Sequence, residues 1–116
     1  MPEKQDGGAL TEAVFYILLS LHKPMHGYAV MQNIERLTQG RVMLGAGTLY
    51  GAINALVQRR WIAALSAEKD SRRKEYSVTP AGRAAFAQEL ERLRELLRNG
   101  EEGKNEACDM EDVCQP

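Results

Sequence analysis

The stretch GAGTLYGAINALVQRRW, residues 45–61, decides the fold of this chain. Its large apolar residues recur every three or four positions, as they do along one face of an α-helix. These residues are Leu49, Ile53, Leu56 and Val57. The spacing predicts a helix that turns this face toward a hydrophobic core.

The opposite face of the same helix is small, uncharged and able to form hydrogen bonds. It carries Gly47, Gly51, Asn54, Ala55 and Gln58, with Thr48 and Tyr50 beside it and Arg59 and Arg60 at its end. A solvated face normally carries charged residues, and a glycine inside a helix costs up to about 1 kcal/mol relative to alanine. Such a face is typical of a helix that approaches another surface closely, such as the floor of a DNA groove. The alternative is a surface helix with tolerated glycines.

A second helix is predicted just before this one. It begins at His26-Gly27 and ends at about Leu37, and its expected core contacts are Tyr28, Met31 and Ile34. Gln39-Gly40 is a turn signal, and residues 41–44 (RVML) are predicted to form a short strand. Two helices joined by a turn, the second with a small polar face, indicate a helix-turn-helix.

A β-hairpin is predicted after the helix-turn-helix. Residues 61–65 (WIAAL) and 74–78 (KEYSV) are the strands, with Tyr76 and Val78 on one face of the second. Four cations lie in and beside the connection: Lys69, Arg72, Arg73 and Lys74. A basic hairpin beside a recognition helix meets phosphates or the minor groove of DNA. A solvated charged turn is the alternative, and Glu68 and Asp70 favour it.

Apolar surface on the two flanking helices favours a homodimer. The first helix, residues 10–21, is apolar on more than one face and must be buried on more than one face; a fully buried central helix is the alternative. The last helix begins at Thr79-Pro80, where Thr79 is the N-cap, and ends at about Arg98. Its apolar residues follow a heptad spacing. The expected dimer interface comprises Leu10, Val14, Phe15, Phe86, Leu90, Leu93 and Leu97.

Charge is distributed unevenly along the 116 residues, although the formal net charge is only −1. Residues 99–116 hold one base and six acids, a net charge of −5. The remaining residues hold 14 bases and 10 acids, a net charge of +4. A mildly basic body with an acidic end is compatible with a nucleic-acid partner. The acidic end has few apolar residues and is predicted to be disordered.

Enzyme chemistry, metals and membranes have no sequence support. There is no nucleophile–base pair and no phosphate-binding glycine loop. Cys108 and Cys114 lack the short C-x2-C spacing and the second ligand pair of a zinc site. We therefore expect no enzyme activity, no cofactor and no metal. The N-terminus lacks a signal-peptide pattern and no apolar run is long enough to span a membrane, so we expect a cytoplasmic protein with no membrane partner.

Three motifs together carry a family resemblance: PMHGY at 24–28, GTLYGAI at 47–53 and DSRRKEYSVTPAG at 70–82. Over about residues 9–98 the chain resembles the PadR family of winged-helix transcriptional regulators, in its branch with one C-terminal helix. The resemblance implies a homodimer built from the terminal helices. Members of the family usually repress transcription, and some release DNA when a phenolic or lipophilic compound binds. The resemblance also implies that Tyr50, its helix neighbours and the basic wing contact DNA. Glu75 and the acidic end depart from the family pattern.

The predicted protein is mainly α with a small β-hairpin. It comprises a flexible N-terminus (1–8), a winged helix-turn-helix domain (9–79), a C-terminal dimerisation helix (80–98) and an acidic tail (99–116). Its expected partners are double-stranded operator DNA, a second copy and a small-molecule effector. The expected DNA contacts are Thr48, Tyr50, Gly51, Asn54, Gln58, Lys69, Arg72, Arg73 and Lys74. The alternative is a winged-helix protein-interaction module without sequence-specific DNA binding.

Overall fold

The computed structural model describes residues 8–65 and 74–110, the last four by backbone alone. Its elements are α1 (Glu12–Ser20), β1 (Met25–His26), α2 (Gly27–Leu37), α3 (Ala46–Gln58), β2 (Ile62–Ala64), β3 (Glu75–Val78) and α4 (Pro80–Met110). The strands form one antiparallel sheet in the order β1-β3-β2. The chain divides into two compact units, Met1–Phe86 and Ala87–Pro116. The predicted class, mainly α with a winged helix-turn-helix, is confirmed.

Helix α1 contributes Ile17 and Leu18 to the core of the first unit. Thr11 caps it, because its hydroxyl accepts a hydrogen bond from the Val14 amide at 3.1 Å. The fully buried side chains of this unit come from all three helices of the helix-turn-helix region and from β2; they are Ile17, Leu18, Leu21, Val30, Ile34, Leu49, Ile53 and Ile62. The helix-spaced apolar face predicted for α3 therefore does face the core.

A buried hydroxyl joins α1 to α2. Ser20 is only 4% exposed. Its hydroxyl donates to the Tyr16 carbonyl at 2.8 Å and accepts from the Asn33 amide at 2.9 Å. Both roles of the hydroxyl are thus satisfied, which removes most of the cost of burying it.

The side chains of α2 correct one expectation about the core. Tyr28, an expected core contact, is 61% exposed, so this prediction is wrong. Val30 lies two residues further along, on the opposite side of the helix, and is fully buried together with Ile34. Val57 at the end of α3 was also assigned to the core and is 36% exposed, at the edge of the buried face.

The turn between α2 and α3 contains no strand, so the predicted strand over residues 41–44 is wrong. Helix α2 ends in a Schellman motif, in which the Gly40 amide donates to the Glu35 carbonyl at 2.8 Å. Gln39 and Gly40 have φ angles of 53° and 83°. The next amides are also used by the turn, because Arg41 donates to the Thr38 carbonyl and Val42 to the Thr38 hydroxyl. Few amides remain for pairing with a strand.

The third strand of the sheet is β1, for which the sequence carries no strand signal. Met25 pairs with Tyr76 and His26 pairs with Glu75. Two residues are too few to show an alternating pattern, and β1 runs directly into α2. The hairpin itself is confirmed: β2 pairs with β3, and Tyr76 and Val78 point to the buried side as expected.

The start of α4 is fastened to the end of α3. The Thr79 hydroxyl accepts from the Gly82 amide at 3.0 Å and donates to the Arg60 carbonyl at 2.7 Å. A Cβ at Gly82 would overlap the Trp61 carbonyl oxygen, so no larger residue fits there. The T-P-A-G motif is therefore a capped helix start pressed against the preceding turn.

Helix α4 continues through Asn99 and Gly100 to Met110, so the predicted end at about Arg98 is wrong. Arginine, glutamate and lysine, which favour helices, lie around this pair, and Gly100 and Gly103 each cost only about 1 kcal/mol in a helix. The predicted disorder is likewise wrong for residues 99–110, which are helical; residues 111–116 lie outside the described part. Across the described residues, no helix is long and apolar enough to cross a membrane.

Candidate nucleic-acid interface

The outward face of α3 is the surface on which the predicted contacts converge. Leu49, Ile53 and Leu56 bury the opposite face, at 0%, 0% and 2% exposure. The predicted contact side is exposed along the length of the helix, at Gly47, Thr48, Gly51, Asn54, Ala55 and Gln58. The helix thus presents two amides, one hydroxyl and three small residues on one solvent-facing surface.

Nothing in the part of the chain that the structure describes explains the glycines of α3. A Cβ at Gly47 or at Gly51 would have nothing within 4 Å, and neither residue has a positive φ angle. Alanine would therefore fit both sites and favour the helix. Gly27 and Gly82 differ, because an added Cβ at either would collide with neighbouring atoms. Packing within the described fold therefore does not require glycine at positions 47 and 51.

Tyr50 lies at the side of this face and is half-buried. Its ring covers Gly27 at the start of α2: a Cβ there would lie 2.5 Å from the Tyr50 Oη and 2.7 Å from Cε1 and Cζ. The PMHGY and GTLY motifs are therefore in contact. Tyr76 of β3 is 3% exposed; burial raises its pKa above the usual value of 10.0, and Tyr50 raises it further.

The end of α3 carries two exposed arginines. It closes with a Schellman motif, in which Trp61 donates to the Leu56 carbonyl at 3.0 Å and Arg60 to the Val57 carbonyl at 2.9 Å. Arg60 has a φ of 67°, a conformation that favours glycine. The Arg59 guanidinium lies 4.0 Å from the centroid of the Trp61 ring, within cation–π distance.

Three of the four predicted wing cations, Lys69, Arg72 and Arg73, lie outside the described residues. Lys74 is half-buried, and its carbonyl lies 3.3 Å from the His26 Nδ1. Glu75, the departure from the family pattern, has its carboxylate 3.9 Å from the His26 Nε2. The place of His26 opposite Glu75 depends on β1, which no periodic signal in the sequence reveals.

The predicted dimer residues fall into two groups by exposure. Phe86 is 7% exposed within its own unit, where its ring stacks on Phe15 at 4.8 Å between centroids and meets His22 edge-on at 5.0 Å. Leu10, Val14 and Phe15 are half-buried. In the second unit, Leu90 is half-buried and Leu93 and Leu97 are 39% and 62% exposed.

Metal binding has no candidate among the described side chains, which include no group of three or more His, Cys, Asp or Glu placed to hold an ion. The side chains of Cys108 and Cys114 fall outside that set.

Residues 15–88 match the model of the transcriptional regulator PadR-like family, which is more than half of the chain. The chain belongs to this family. Its solved relatives include a transcriptional regulator from Clostridium thermocellum, 25% identical with a TM-score of 0.63, covering 80% of this chain and 90% of that structure. A PadR family transcriptional regulator from Eggerthella lenta is 27% identical with a TM-score of 0.58 and covers 75% of each chain.

A curated relative places the PadR-like region within a longer protein. An uncharacterised 37.1 kDa protein of transposon TN4556 from Streptomyces fradiae is 36% identical over 73 residues. The match covers 63% of the present PadR-like chain and 20% of the relative. The chain therefore spans about a fifth of that relative's length.

Proposed function

We propose that this PadR-family chain is a cytoplasmic, homodimeric repressor that binds a near-palindromic operator through α3 and the wing. The observation that carries the proposal is the pair Gly47 and Gly51, exposed glycines that nothing in the described fold requires. Small residues at these two positions let the helix axis lie close to the floor of the major groove, so that the longer polar side chains on the same face can reach base edges.

The exposed groups on α3 suit base recognition. Asn54 and Gln58 present amides, which pair in bidentate fashion with the N6 and N7 edge of adenine. They lie one helical turn apart, so both can reach into one groove. Thr48 at the start of the helix and Tyr50 at its side supply hydroxyls for phosphate or base contacts.

Phosphate affinity is assigned to the cations around α3. Lys69, Arg72, Arg73 and Lys74 of the wing are the proposed contacts, and their support is their place in the sequence next to the recognition helix. Because phosphate contacts release counterions, affinity will fall as salt rises.

The proposed dimer rests on the exposed leucines of α4 and on family membership. Two copies would bring two α3 helices to half-sites about one helical turn apart on the operator. Release by a phenolic or lipophilic effector is supported by the family resemblance alone.

Fluorescence anisotropy tests the proposal. The purified protein is titrated against a labelled duplex from the DNA upstream of its own coding sequence, and against a scrambled duplex of the same composition, over a salt series. We expect tighter binding to the upstream duplex and a log–log salt slope near −0.9 for each phosphate neutralised. Weak and equal binding to both duplexes contradicts the assignment to this DNA and favours the alternative, a winged-helix module for a protein partner.

A further inference from the structure

The backbone conformation at position 27 does not require glycine. Gly27 is the first residue of α2 and lacks a positive φ angle, so its backbone would accept alanine. What excludes a side chain is the Tyr50 ring, whose Oη, Cε1 and Cζ would lie 2.5, 2.7 and 2.7 Å from a Cβ. Ordinary carbon contacts are about 3.5–4.0 Å. Gly27 therefore leaves room for the outer end of one particular ring.

Three elements converge on that ring. Tyr50 is carried by α3 and follows the fully buried Leu49. Gly27 follows β1 directly, and Met25 of β1 pairs with Tyr76 of β3. The recognition helix, the start of α2 and the wing strand thus meet where the ring lies.

We propose that Gly27 is a positioning residue for operator binding, because the space it leaves holds the Tyr50 ring against α2 and so fixes the position of the hydroxyl. This inference rests on the proposed function, in which Tyr50 contacts DNA. The atoms in conflict with a methyl group at position 27 belong to a rotatable side chain rather than to the backbone. The ring can therefore turn away into solvent while the helices stay in place.

The test is a double-mutant cycle in the full chain with Gly27→Ala, Tyr50→Ala and the double variant. Each is titrated against the upstream duplex. We expect both single variants to bind about tenfold more weakly, the scale of one lost charge-assisted hydrogen bond. We expect the double variant to bind like Tyr50→Ala alone, since the displaced ring no longer exists to be positioned. A purely structural role of Gly27 would instead weaken both backgrounds by the same factor.

Thermal unfolding completes the test, with Gly100→Ala as the matched control because a Cβ there has nothing within 4 Å. Gly27→Ala should unfold within about 5 °C of the wild type. The inference is overturned if Gly27→Ala binds like the wild type, if its loss persists in the Tyr50→Ala background, or if it does not fold. A wild-type chain that fails to prefer the upstream duplex overturns the assignment of this operator and the inference together.

Discussion

At the scale of single residues, the glycines separate structural from functional roles. Gly82 lies against the Trp61 carbonyl, so the backbone excludes a side chain there, whereas Gly27 lies under the rotatable ring of Tyr50. Gly47 and Gly51 have open space around them and ordinary backbone angles. The same residue type therefore serves packing at Gly82, leaves room for a ring at Gly27 and, in the proposed function, gives access to a DNA groove at Gly47 and Gly51.

Gly51→Ala is expected to raise stability and lower DNA affinity at the same time. The free energy of unfolding should rise by about 0.5–1 kcal/mol, because alanine favours the helix and meets no neighbour. Affinity for the upstream duplex should fall about fivefold or more, since the methyl group stands on the groove-facing side. Urea unfolding and anisotropy measure the two effects.

Gly100→Ala is the control for this substitution. It is also a helical glycine with open space, but in α4, so it should raise stability without changing affinity. Unchanged DNA affinity in Gly51→Ala would show that the outward face of α3 does not meet DNA.

The buried phenol of Tyr76 should make the stability of the fold sensitive to alkaline pH. Folding raises the pKa of its phenol, chiefly through burial. The unfolded chain then ionises first. The stabilisation of the fold by the neutral phenol is therefore fully present below the ordinary pKa of 10.0 and is lost as the pH rises above it. Tyr76→Phe should lose less stability than the wild type between about pH 9 and pH 11.

Urea unfolding of Tyr76→Phe and of the wild type, at about pH 9 and at about pH 11, measures how much stability each loses. Tyr28→Phe, at a 61% exposed tyrosine, is the control and should follow the wild type. Equal losses in Tyr76→Phe and the wild type would contradict the assignment of the effect to the buried phenol.

At the scale of elements, the ends of the helices decide how they connect. Both α2 and α3 end in Schellman motifs whose C′ residues, Gln39 and Arg60, have positive φ angles without being glycine. The Thr79 hydroxyl then bonds the Arg60 carbonyl at the end of α3 and the Gly82 amide at the start of α4. A single hydroxyl therefore links the end of α3 to the start of α4.

Thr79→Ala is expected to lower the free energy of unfolding by about 1–2 kcal/mol, because it removes both a helix cap and a hydrogen bond between elements. Thr79→Ser keeps the hydroxyl and should lose less than half as much. Chemical denaturation of the three proteins measures the difference. If serine and alanine destabilise equally, the stabilisation comes from the methyl group rather than from the hydroxyl.

At the scale of the whole molecule, helix α4 carries apolar residues that stay exposed in the single chain. Leu93, Leu96 and Leu97 are 39%, 52% and 62% exposed. Leucines exposed together on one helix are typical of an interaction surface. In the proposed dimer the covering surface belongs to a second copy.

Replacing Leu93 and Leu97 together by glutamate should give a folded monomer, because charges on the proposed interface would be buried without partners. Sedimentation should show the monomer mass, while circular dichroism stays helical. Operator affinity should fall about tenfold or more, since the two half-sites are then bound independently. Leu37→Glu, at a 41% exposed leucine outside α4, is the control. A dimer that survives the double substitution excludes these leucines from the interface.

Much of this fold follows from local spacing. The core face of α3 follows from an apolar repeat of three to four residues, the strand β3 from alternation, and the start of α4 from Thr79-Pro80. Each of these signals lies within a few residues of the element that it predicts. The small, uncharged residues on the solvent-facing side of α3 likewise indicate the candidate contact surface. At Asn99-Gly100 the helical preference of the neighbouring residues outweighs a local stop signal, so the helix continues.

The sequence by itself determined the helix-turn-helix, the hairpin and the uncharged face of α3, because short-range periodicity and capping encode them. Only the tertiary structure decided that Met25–His26 joins the sheet, that Tyr28 faces solvent, and that Gly27 lies under Tyr50. Each of these depends on which distant residue arrives at a given place. The packing of the whole core determines which distant residues meet, and the local spacing of residue types does not reveal it.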